Sequence, residues 1–170
     1  MRTLVRALVF LLLVLWLGGV MFFPVLAWAS FSSIADTHAA GTIVAKSLRV
    51  LHYEGLFAGI VLLALTVTGL RIGAFARTAL AAILLLLMML GLTAYSQFHV
   101  IPQMEGYRLA AGGAIDAVPK NDPNHAAFDS LHRTSERVEQ GVLLAGILAV
   151  ICLSVPAAVI PGPLFGARRL

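Results

Sequence analysis

Five histidines and eight carboxylates are the side chains in this 170-residue chain best suited to hold a proton or a metal ion. His125, Asp129, His132 and Glu136 recur at intervals of four, three and four, which on a helix stacks imidazole and carboxylate in one column. Asp129-x-x-His132 resembles the carboxylate-x-x-His element of metal-binding bundles; a two-metal site needs that element twice, and it occurs here once. Arg133 and Arg137 are interleaved with the same acids, so the column reads equally as exposed ion pairs contributing about 0.3–0.5 kcal/mol each. His52 and Glu54 form a second group. Two residues on a helix are about 200° apart, so the pair should have different partners: Arg133 or Arg137, or a proton in a dry site, for Glu54, and His99 or His132 for His52. His99, with Gln103 and Glu105, closes the third apolar stretch.

Paired imidazoles suit haem iron, and imidazole with carboxylate suits zinc, iron or copper. The expected site is therefore His52, Glu54, His99 and His132, supported by Asp129, Glu136, Arg133, Arg137 and Gln103, with the ligand open between a transition metal and haem. The chain has no phosphate-binding glycine loop, no Gly-x-Ser-x-Gly elbow and no zincin motif, and whether it is an enzyme stays open.

These residues must be positioned by apolar elements. A chain 60% hydrophobic and 12% charged, with mean hydropathy +0.95, is outside the range of soluble domains. Uncharged runs over residues 7–29, 55–70, 78–98 and 140–167 predict an all-α integral membrane protein. The expected architecture is one four-transmembrane-helix bundle over residues 1–170, with helices at about 5–29, 45–71, 77–99 and 123–160. The second run covers only about 24 Å as a helix, so the crossing must take in His52 and Glu54. Residues 30–42 read as an outer loop. Pro102 should limit the third helix and leave residues 102–122 irregular. Asp122-Pro123 reads as an N-cap and N1 pair opening a fourth helix that extends on the outer side and bends at Pro156. Phe128, Leu131, Ser135, Val138 and Val142 form its packing seam, and Gly18-Gly19 offers a place for close approach on the first helix. Cys152, the single cysteine, reads as a small hydrophobe. Arg2, Arg6 and Ala27-Trp28-Ala29 resemble a secretory signal, but the apolar run exceeds the usual h-region of about 7–15 residues, so an uncleaved first helix is expected.

Charge sets the orientation. Arg2, Arg6, Arg71, Arg77, Arg168 and Arg169 fall on one side of the inferred membrane, while every acid and every histidine falls on the other with the remaining six cations. By the positive-inside rule both termini are cytoplasmic, and the protein is a multi-pass component of a bacterial inner membrane. The basic pI of about 9.8 then reports orientation and anionic-lipid contact; the lipid bilayer is the partner, a homo-oligomer or a larger membrane complex is open, and nucleic acid is not expected.

The segment Trp16-Leu-Gly-Gly-Val-Met-Phe-Phe-Pro24, the surroundings of Glu54 with Arg71 ending the second helix, and Phe128-x-x-x-His132-x-x-Ser135 resemble the small four-helix family of unknown function related to transmembrane protein 205. That resemblance implies a four-helix membrane fold more than an activity. More remotely, the Trp-x-Gly-Gly-x-x-Phe-Phe segment is similar to the first helix of copper-resistance membrane proteins and of haem-dependent protoporphyrinogen oxidase. Those relatives carry a histidine in that helix, whereas residues 4–12 here contain none. The resulting expectation is a membrane protein with an outward-facing His/Glu site for metal or haem. The alternatives are a structural or accessory subunit and a small proton-coupled transporter using Glu54.

Overall fold

The computed structural model describes residues 1–157. Within them the chain is helical almost throughout: α1 is Arg2–Ser33, α2 is Thr37–Arg71, α3 is Ala79–Tyr95, α4 is Ile101–Ala110 and α5 is Pro123–Ser154. A wide π turn, Ser96–Val100, joins α3 to α4 without a break, so these segments make four helices long and apolar enough to cross a membrane. A helix lets each apolar segment bond its own amides internally where no water is present. The protein is a four-helix transmembrane bundle. α1 packs mainly on α2 and α3 on α5, and the α2–α3 and α1–α5 faces close the ring.

Several boundaries differ from the sequence expectation, each for a physical reason. Residues 30–42 are not a loop. Their polar side chains sit on helix termini, and only Ile34–Asp36 interrupts, with Asp36 accepting from the amides of His38 and Ala39 at 2.9 and 3.3 Å. Pro102 does not end the third crossing. Proline removes the amide that would bond to Phe98, and its ring crowds that carbonyl. The wide turn accommodates this, with the Ile101 amide reaching back five residues to the Ser96 carbonyl. Irregular chain therefore begins only after Ala110, where Gly112 and Gly113 take φ of 82° and 92°, a region that favours glycine. Asp122 caps α5 as expected, accepting from the Asn124 amide at 2.8 Å. At its other end α5 stops at Ser154 instead of bending through Pro156. Residues 158–160 of the expected fourth helix, with Arg168 and Arg169, lie outside the described residues.

Close approach is arranged by glycines. Trp16, almost fully buried, lays its indole on the backbone of α2 at Gly55 and Gly59, where an added methyl would collide with it. Gly19 takes Leu51 in the same way, and Gly146 of α5 takes Leu17 and Met89, whereas Gly18 faces open space. Small residues four apart let membrane helices touch along their backbones, where dispersion rather than hydrophobicity holds them. Above this layer, Ser135, Val138 and Val142 of the α5 seam are buried. At the arginine end, Arg6 stacks over Phe75, 5.8 Å from the ring centre, and the Thr78 hydroxyl donates to the Cys152 carbonyl at 2.7 Å. These contacts gather the start of α1, the α2–α3 link and the end of α5.

Candidate functional site

His52 projects from α2 into the bundle and is 1% exposed. Its Nε2 lies 2.7 Å from Glu139 Oε1 on α5, and its Nδ1 lies 3.0 Å from Gln97 Oε1 in the π turn. Since α2 and α5 are not neighbours in the ring of helices, the His52–Glu139 contact crosses the bundle. Arg71 stands nineteen positions after His52, about 28 Å of helix, so the imidazole sits where an apolar slab of about 30 Å would end. Glu139 remains 17% exposed and gives the line an opening to the surface.

The bonding pattern limits the proton states. With Nδ1–H donating to the Gln97 carbonyl oxygen, the Nε2···Oε1 contact needs one proton between imidazole and carboxyl, carried by either. If that proton leaves, the Nε2 lone pair faces a carboxylate. The repair is to turn the Gln97 carboxamide, so that its NH2 donates to Nδ1 and Nε2–H donates to Glu139. The orientation of Gln97 is thus tied to the number of protons on the His52–Glu139 pair.

The expected convergence of His52, Glu54, His99 and His132 is not what the helices produce. His99 is exposed, stacked on Tyr95 at 5.2 Å and accepting from Gln103 Nε2 at 3.2 Å. His132 lies on the outside of α5, parallel to the Phe128 ring at 6.3 Å and 3.4 Å from Glu136; both members of that pair are more than half exposed. Glu54 turns to α1 beside Gly19, where its Oε1 is buried without a hydrogen-bond partner, and it makes no ion pair with Arg133 or Arg137. His125 is buried, donates to the Val118 carbonyl at 3.2 Å and lies 3.7 Å from Asp129. Among the described residues no three His, Cys, Asp or Glu side chains come close enough to share a metal ion. Both ring nitrogens of His52 are taken by protein atoms and the other imidazoles face elsewhere, so among the described residues the expected groups do not converge on one metal or haem centre. The reason is angular and axial: His99 is near the level of Gln97 but exposed on an outward face, and His132 is exposed and stands seven residues, about 10 Å of helix, before Glu139.

Gln97 and Glu139 are the members that sequence reasoning missed. Glu139 directly precedes the fourth apolar run, four residues before Leu143 and one turn after Ser135, on the packing seam already recognised. Gln97 gave no comparable signal, because the wide turn sets its direction.

Beside Gln97 an open groove of about 470 Å³ lies between α2 and the α3–α4 junction, lined by Arg49, Tyr53, Gln97, Phe98, Ile101, Pro102 and Glu105. Tyr53 and Phe98 meet edge to face, 6.4 Å between ring centres. Glu105 is held twice by Arg108, at 2.9 and 2.6 Å.

Four apolar helices around a buried imidazole bonded to a carboxyl and a carboxamide define a multi-pass membrane bundle with a polar site near one end. The chain belongs to the family described as Domain of unknown function (DUF4149), whose pattern matches residues 11–112. The match spans His52, Gln97 and the groove, and ends before α5 and Glu139. The match shows a small family of unknown function, as expected, and carries no information on kinship with the transmembrane protein 205, copper-resistance or oxidase groups. Neither the curated proteins nor the solved structures gave a match.

Proposed function

We propose that the protein is a proton-holding membrane bundle in which the His52–Glu139 pair takes up and releases a proton at the extracytoplasmic edge of a bacterial inner membrane, and Gln97 carries that change to the adjoining groove. The observation that carries this reading is the unbroken line Glu139–His52–Gln97, at 2.7 and 3.0 Å, drawn from three helix segments around an imidazole that is 1% exposed. Buried ionisable groups in membrane helices are costly and face partners or water, and they mark functional positions more often than exposed ones. The partly open Glu139 exchanges protons with solvent; the enclosed His52 stores the change. The arginine-only end, with both termini, faces the cytoplasm in this reading.

The test is nitrogen-15 NMR of histidine-labelled protein in lipid nanodiscs, titrated from about pH 4 to about pH 9, a range that brackets ordinary imidazole titration. A His52 signal that titrates, and whose titration is displaced by Glu139→Gln, is the expected result. A His52 signal that stays constant across the range, or is indifferent to Glu139→Gln, overturns the reading.

A further inference from the structure

We propose that the groove at Arg49 is a binding site for the phosphate head of an anionic phospholipid in the leaflet bordering the His52 end. Its height is right for a headgroup: Arg49 stands twenty-two residues before Arg71, about 33 Å along α2, just past an apolar slab of about 30 Å. The aromatic pair Tyr53 and Phe98 lies one turn deeper, at the level where such rings anchor to an interface. Below them Tyr53, Phe57 and Ile60 form an exposed apolar stripe on the same face of α2, 55%, 72% and 64% exposed, along which an acyl chain can lie.

The polar groups favour an anion. Arg49 is exposed and has no carboxylate within salt-bridge distance among the described residues. The one acid on the groove wall, Glu105, already accepts both hydrogen bonds from Arg108. Lys46, one turn before Arg49, adds a second cation to that face of α2. Gln97 accepts from His52 through Oε1, and its amide nitrogen has no partner among the described residues, so this wall of the groove offers a donor. A guanidinium, a carboxamide N–H and a phenol above an apolar stripe match the non-bridging oxygens and tail of a phosphodiester lipid. Arg49, Lys46 and the aromatic wall keep their places whatever the proton count on the His52–Glu139 pair, and only the Gln97 N–H follows it, so His52 titration and lipid retention can each fail without the other.

The experiment is native mass spectrometry of the full chain released from nanodiscs of equal phosphatidylglycerol and phosphatidylcholine. Preferential retention of phosphatidylglycerol is expected, falling about tenfold in Arg49→Gln, as loss of a charge-assisted contact implies, and unchanged in Arg77→Gln at the opposite end. Phe98→Ala, which removes the aromatic wall and keeps the cation, should also weaken retention. Equal retention of the two lipids, or equal loss in Arg49→Gln and Arg77→Gln, overturns the proposal. So does displacement of the phosphatidylglycerol by millimolar inorganic phosphate, which would make the site one for a free anion.

Discussion

At the scale of the residue, the decisive distinction is between carboxylates that meet histidine inside the bundle and those that meet it in solvent. Glu139 bonds to a buried imidazole, whereas Glu136, one turn earlier, faces an exposed one. Removing one partner of a buried bond strands the other, a cost of about 1–3 kcal/mol, while an exposed pair changes stability by less than about 0.5 kcal/mol. Glu139→Ala should therefore lower the melting temperature in mild detergent by several degrees, and Glu136→Ala should leave it within error. Equal effects would show that burial of His52 is not what ties the helices together. His52 was legible in the sequence as an ionisable group that the second crossing had to absorb. Its partners were not, because spacing along one helix gives an angle on that helix but no information about which faces of the other three turn inward.

The helices themselves were legible through their apolar runs, and the Asp122-Pro123 start through its capping chemistry. Misread were the places where a local rule was offset by a small adjustment. Polar residues 30–42 signalled a loop, yet three residues suffice to turn from α1 to α2. Pro102 signalled a stop, yet one wide turn lets the helix pass. Gly18-Gly19 drew attention to α1, while the more consequential pair, Gly55 and Gly59, sat unremarked in the second apolar run, where Trp16 packs. This yields a direct comparison. Gly55→Ala must push the indole off α2 and should cost about 1–3 kcal/mol, as overpacked sites do, whereas Gly18→Ala enters open space and should be neutral. Thermal unfolding of the two variants, followed by helical circular dichroism, checks this; a neutral Gly55→Ala would mean the α1–α2 seam is loosely packed.

For the whole molecule, the segregation of charge was the strongest statement in the sequence, and the packing agrees with it. Arg2 lies against Gly73, Arg6 against Phe75, and Arg71 and Arg77 flank the same link, while all eight acids are toward the opposite half. The orientation that follows from the positive-inside rule is testable by single-cysteine labelling in a Cys152→Ala background. Lys120→Cys should react with a membrane-impermeant maleimide in intact cells, and Arg77→Cys only after the membrane is opened; the reverse pattern would invert the protein and place the His52 end inside. The bundle also carries a built-in optical gauge. Of its two tryptophans, both on α1, Trp28 is 72% exposed toward lipid and Trp16 is sealed against α2 directly beneath His52. With Trp28 changed to Phe, intrinsic fluorescence would come from that one sealed indole, and any event at the imidazole that loosens the first two helices would be visible as a colour shift without a label.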